Sequence, residues 1–166
     1  EHNMAITRLN NNSLTSITTL PSAVAVDNEP MFFIRATGSA LSVSADTNTK
    51  LTVWDTPEID TDSGWSSTNS RWTVPTGKGG KYFIHCAVKY AGTADRRLRG
   101  HIYVNGSISR VLASNITYYA GLEISSFVNL SAGDYVEIFG RLDNGGGGSL
   151  GTDPNEQWLG IHRLIS

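Results

Sequence analysis

Gly147-Gly148-Ser149-Leu150-Gly151 has the letters of a nucleophile elbow, and Gly146 to Gly151 those of a dinucleotide-binding fingerprint. Both chemistries need a strand before the motif and a helix after it. Only then is the serine strained into reach, or a helix N-terminus aimed at phosphate. Here the flanks are Asp143-Asn144-Gly145 and Thr152-Asp153-Pro154, which are turn formers on both sides. The expected state is a surface loop. Asp60-Thr61-Asp62-Ser63-Gly64, with Asp55 and Glu58 nearby, offers oxygens to a hard cation. The calcium-loop spacing is incomplete and no glutamate closes it, so no metal is expected.

His85, His101 and His162 fall on separate predicted strands, without HxH or HExxH spacing, and are expected to be ordinary hydrogen-bonded or interface residues. Cys86 lies on an apolar strand face, which describes a buried, inert thiol. No acid pair or triad spacing emerges, so neither catalysis nor a cofactor is expected. Arg96-Arg97-Leu98-Arg99 is the basic cluster of the chain. It could meet phosphate, sulfate or an acidic polysaccharide, or bridge to acids of a neighbouring subunit. Four sequons (Asn11, Asn105, Asn115, Asn129) reflect a composition in which Ser, Thr and Asn exceed a quarter of the 166 residues.

The elements that must position these groups are strands. Hydrophobic residues make up 39% and charged residues 17%, with 17 Gly, a poor composition for a helical bundle and a good one for an all-β domain with polar turns. A net charge of −2 provides no global field for nucleic acid. One cysteine excludes an intrachain disulfide. No apolar run approaches the ~18 residues of a membrane span, so no membrane insertion is expected. Glu1-His2-Asn3 reads as a non-native scar before an initiator methionine, Met4, with no export signal.

Residues 4–30 carry spaced aliphatics in a polar background and form an expected extended arm that orders only against another surface. A single domain is expected over residues 31–166. Its strands are read at Met31–Ala36, Leu41–Ala45, Lys50–Asp55, Arg71–Val74, Lys81–Tyr90, Arg99–Val104, Ser107–Ala113, Leu122–Leu130, Asp134–Leu142 and Gln157–Ile165. Asn105-Gly106 and Ser131-Ala132-Gly133 are the tight turns. The loops Thr56–Ser70, Ala91–Arg99 and Asp143–Asn155 supply the candidate ligand-binding residues. These are Trp65, Asp60, Asp62, Arg96, Arg97, Arg99, Asn144 and Asp153. Trp65 either stacks on a sugar ring or anchors its loop to the body.

Lys81–Tyr90 is apolar on both sides. Tyr82, Ile84, Cys86, Val88 and Tyr90 would fill a sandwich, which leaves Phe83 facing outward beside His85 and Ala87. Covering Phe83 would contribute roughly 1.5–3 kcal/mol per chain. Phe83, His85, Ala87 and Tyr135 are therefore the expected intersubunit residues, with Ile138 and Trp158 as further contributors.

Four pieces then line up in order. Trp72-Thr73-Val74-Pro75 followed by Gly80-Lys81-Tyr82-Phe83-Ile84 resembles the "FtvP…GxYxF" core of C1q-like domains. Ile102-Tyr103-Val104-Asn105-Gly106 resembles their "vNG" hairpin. Leu130-Ser131-Ala132-Gly133-Asp134-Tyr135-Val136 resembles their "L..GD.V" turn, and Trp158-Leu159-Gly160-Ile161 is similar to their closing strand. Trp158 stands where that strand has phenylalanine. The resemblance implies a C1q/TNF-like jelly-roll sandwich of about ten strands that assembles as a homotrimer. Met4 to Ser13 resembles the starts of marine bacteriophage structural proteins. Together these imply a virion protein assembled in the host cytoplasm. It would be a trimeric fibre knob or decoration, held to other virion proteins by its arm and able to meet a host-surface glycan. The alternative is a C1q-like lectin with no virion role.

Overall fold

The computed structural model describes residues 29–116, 120–143, 145–151 and 153–165. Residues 4–28 of the expected 4–30 arm and the candidate Asn144 lie outside the described residues. The rest is all-β. The strands are β1 (Met31–Arg35), β2 (Leu41–Val43), β3 (Thr49–Lys50), β4 (Ile59–Asp60), β5 (Trp65–Ser66), β6 (Arg71–Thr73), β7 (Gly80–Lys89), β8 (Arg96–Val104), β9 (Ser107–Ile116), β10 (Gly121–Leu130), β11 (Tyr135–Asp143), β12 (Gly148–Leu150) and β13 (Trp158–Ile165).

Two antiparallel sheets face each other. The first has the order β10-β7-β13-β1-β4 and the second β5-β6-β11-β8-β9, with β3 added to β11; β12 and β2 form a small separate pair. After β7 the chain crosses to β8 and β9, returns to β10, crosses to β11 and returns to β13, the weave of a jelly roll. The alternation expected for β7 holds: Tyr82, Ile84, Cys86 and Val88 are wholly buried. Phe32, Ile34, Leu122, Ile124, Leu159 and Ile161 complete the inner face of the first sheet. Trp72, Leu98, Ile102, Val136, Ile138 and Leu142 meet them from the second. Each large aliphatic side chain taken out of water contributes roughly 1.5–3 kcal/mol.

The sheets approach closely where Gly100 of β8 pairs with Gly140 of β11. Val88, Leu122 and Ile124 lie at contact distance from where a Cβ on Gly100 would sit, and Leu150 already fills that place over Gly140. A side chain on Gly140 would have to displace Leu150, whereas a methyl group on Gly100 would pack at ordinary contact distance.

Several expectations need correction. Lys50–Asp55 is not one strand. Only Thr49–Lys50 pairs with β11, and Trp54 bridges alone to Ala36. The Thr56–Ser70 connection contains β4 and β5, and Asp143–Pro154 contains β12, which pairs with β2. The Gly147–Gly151 motif is thus partly a strand and no elbow. Arg96, Arg97 and Arg99 belong to β8 rather than to a loop, because the ladder with β9 runs on to Ile116. Ile138 faces the core, so it cannot meet a neighbouring subunit.

Two turns that sequence reading treats separately are clasped together. Asn105 and Gly106 both have positive φ (51° and 75°), as a two-residue hairpin turn requires. Asn105 Nδ2 donates to Asp134 Oδ1 at 2.8 Å, and Tyr135 N donates to Asn105 Oδ1 at 3.0 Å. Asp134 Oδ2 accepts from Ser131 N at 2.7 Å. The Asn105 amide, and then the Ser131 N–H, hold the Asp134 carboxyl below its usual range. Asn105→Ala removes both side-chain bonds and a residue tolerant of positive φ. It should cost about 2 kcal/mol in urea denaturation, and Asn105→Gly less, since glycine keeps the turn. Equal stability of the alanine variant and wild type would show that the clasp contributes nothing.

Candidate functional site

The outward side of the first sheet is built by register. Phe83 of β7 sits between Phe127 of β10 and His162 of β13. The next row is Ser125, His85, Gly160 and Phe33, and the third is Glu123, Ala87, Trp158 and Arg35. Strand alternation puts all of these on one surface. The rings touch in sequence. Phe83 lies 5.1 Å from Phe127, 5.3 Å from His85 and 5.5 Å from His162. His85 meets Trp158 edge-on at 4.7 Å, and Trp158 lies 6.2 Å from Phe33. Phe127 is 67% exposed, and Met31, Ile59, Leu164 and Ile165 are also exposed large apolar residues of this sheet.

Gly160 shapes the centre of this surface. A Cβ there would run into the His85 imidazole, so glycine lets the ring lie down on β13. Burial, and then the nearby His162, push the His85 pKa below its ordinary value, while Glu123 opposes them. A cleft of about 330 Å³ opens between Phe83, His85, Glu123, Ser125 and Trp158.

Three of the four expected intersubunit residues are thus together: Phe83, His85 and Ala87. Tyr135 is not with them. It lies on the outward side of the second sheet, where the Arg71 guanidinium sits 4.2 Å over its ring. Sequence reading missed Phe127 and Phe33, and named His162 only as one of three hydrogen-bonded or interface histidines. The signal for Phe127 was available: in Leu122–Leu130 it is the large aromatic on the otherwise polar side.

The loop candidates do other work. Trp65 stacks on Phe32 at 5.3 Å and meets Trp54 edge-on at 6.4 Å, so it anchors its loop to the core and leaves no free face for a sugar on the Phe32 side. Asp60 accepts from Gly64 N (2.9 Å) and Trp65 N (3.0 Å), and Asp62 from Thr61 Oγ1 (2.7 Å). Asp153 accepts from Asn155 N at 2.8 Å. These carboxylates fold their own turns. Among the described residues no group of three or more His, Cys, Asp and Glu is placed to hold a metal ion. Cys86 is buried, and burial raises its thiol pKa far above the ordinary value, which keeps it protonated.

The basic residues meet on the outward side of the second sheet. Arg97 faces Asp143 and Arg99 faces Arg141 across the β8–β11 ladder. Asp143 accepts from Arg99 Nε and from Arg141 Nε, each at 2.5 Å. Burial raises the Asp143 pKa, but the two guanidiniums together outweigh it and set it at about 2. His101, on the same side, is buried, and that burial lowers its pKa.

No family model matches the chain, and no curated protein matches it either. Solved structures do. Murine APRIL at pH 5.0 superposes with a TM-score of 0.62 at 14% identity, over 82% of this chain and 100% of that one. The globular domain of zebrafish complement 1qA protein gives 0.59 at 12% identity, over 83% and 98%. Eiger TNF from S. frugiperda gives 0.55 at 15%, over 83% and 94%. With two facing antiparallel sheets woven as described, the chain has the jelly-roll fold of TNF and C1q domains.

Proposed function

We propose that this chain is one subunit of a homotrimeric, non-catalytic binding module that assembles through the aromatic side of its first sheet. The observation that carries this reading is the run of touching rings from Phe127 through Phe83, His85 and Trp158 to Phe33, with Phe127 largely in water. Contiguous exposed aromatic surface of this kind marks an interaction site. A second, different apolar patch lies on the edge strand β9, where Ile108 and Val111 are about half exposed on the same side. Two unlike patches on one chain favour a head-to-tail contact, and a head-to-tail contact that closes makes a ring. Three is the number that the resemblance to C1q-like domains implies.

The setting we propose for the trimer is a virus particle, with residues 4–30 as the attachment arm. What supports it is the likeness of Met4–Ser13 to phage structural proteins and the want of a core within the arm. Three arms leaving one trimer raise one another's local concentration.

Phe127→Glu and Phe83→Glu should each yield monomers in sedimentation equilibrium at micromolar concentration, because a carboxylate would be buried without a partner. A monomeric wild type would overturn the assembly reading.

His85 adds a pH dependence. Its folded pKa lies below the ordinary value, so the unfolded chain binds the proton more readily. The stability this residue contributes is complete above the unfolded value of about 6.5 and is lost as pH falls below it. The melting temperature of the wild type should drop on acidification from about pH 7.5 to about 5, and that of His85→Gln should drop less. Identical pH profiles would remove His85 as the cause.

Removal of residues 1–26 should leave a folded trimer that no longer sediments with particles carrying the full-length chain. Normal incorporation of the shortened chain would end the attachment role.

A further inference from the structure

The outward side of the second sheet differs in kind from that of the first. Where the first presents rings, the second presents Arg97 and Arg99 from β8 beside Arg141 and Asp143 from β11. Asp143 is nearly buried, with its side chain 7% exposed, whereas those of Arg99 and Arg141 are 32% and 29% exposed. The carboxylate takes only the Nε of each guanidinium. Among the described residues both terminal nitrogens of Arg99 are without a protein partner, and Arg141 spends one on a 3.5 Å contact with Asp46. Arg97 is exposed, and no described carboxylate lies within 4.0 Å of it.

Two guanidiniums are therefore fixed by one buried carboxylate through the atom farthest from the fork, and Arg97 stands across the ladder from that carboxylate without pairing to it. Their free N–H groups remain for something else. The local charge is positive in a chain whose net charge is −2, so attraction is confined to this spot. Paired guanidinium forks match the oxygens of a sulfate or carboxylate. Along the same surface, on the side away from Arg97, Tyr103 and Phe139 stack at 4.0 Å and are both half-buried. They add an apolar lip of the sort on which the C–H face of a sugar packs.

We propose that Arg99 and Arg141, held by Asp143, and the exposed Arg97 beside them form a clamp for the anionic groups of an acidic polysaccharide, with the Tyr103–Phe139 pair as the platform for its sugar ring. This names the ligand class of the binding module proposed above and rests on that reading only for its biological setting. The clamp lies within one chain and does not need the trimer.

The test is affinity for immobilised heparin, with hyaluronate and duplex DNA as competitors. Wild type should be retained at low salt and eluted by added salt. Arg97→Gln and Arg141→Gln should each weaken binding roughly tenfold, as expected for a lost charge-assisted contact. Arg110→Gln, at an exposed arginine of β9, should leave it unchanged. Arg97 has no partner to orphan, so its substitution keeps the test valid should Arg141→Gln fail to fold. Displacement by hyaluronate as well as by heparin would assign the clamp to carboxylates, and displacement by heparin alone to sulfate esters; both support it. No retention of wild type, equal weakening by Arg110→Gln, or equally tight binding of duplex DNA would overturn it. Phe83→Glu separates the two proposals. A variant that becomes monomeric and still binds heparin, with less avidity, supports both, whereas a wild-type trimer without heparin affinity refutes the clamp alone.

Discussion

A ten-residue strand that is apolar on both sides sets the terms for the rest of the molecule. β7 lies between β10 and β13, so its backbone is fully paired and its side chains can only go up or down. Tyr82, Ile84, Cys86 and Val88 require a second sheet to cover them, and the second sheet supplies Trp72, Leu98, Ile102 and Ile138. Phe83 and His85 then have no place inside. They gather the other rings of their sheet instead, because neighbours in register are the nearest apolar surface available. The core and the aromatic face are thus two results of one alternation.

The two outer faces divide the labour. The first is aromatic at its centre, with Arg35, Lys89 and Glu123 gathered at one end, and its rings gain from being covered. The second carries ion pairs in rows: Lys50 with Glu137, Arg99 and Arg141 with Asp143, Arg141 with Asp46. Charges arranged this way are costly to bury against a flat partner and cheap to leave in water. In the trimer proposed above, a molecule with one such face of each kind would have a defined inside and outside.

Legibility in the sequence followed the range of the interaction. Strand alternation in Lys81–Tyr90, the Asn105-Gly106 turn and the Ser131–Gly133 turn depend on neighbours along the chain, and each stands as read. The short strands β4, β5 and β12 were missed because they hold only two or three residues each, and β4 and β12 exist by pairing with partners far along the chain. Trp65 could not be assigned, since its stacking on Phe32 is set by the path of a whole loop. Tyr135 was placed with Phe83 because sequence gives the phase of a strand but not the sheet it joins. The arginine cluster was visible as Arg96–Arg99. Its organiser, Asp143, comes from a strand some forty residues on, and nothing local announces it.

The clasp between Asn105 and Asp134 also governs how the protein ages. An asparagine followed by glycine is the sequence in which the next backbone nitrogen most easily attacks the side-chain carbonyl, expelling ammonia and leaving a cyclic imide that water reopens. The product at Asn105 would be a carboxylate where an amide now donates to Asp134 across 2.8 Å. Two like charges would then face each other at the end of the β8–β9 hairpin, and the isomerised form would add a methylene to its turn. The turn that locks the two hairpins together is thus also where slow chemical wear would loosen them.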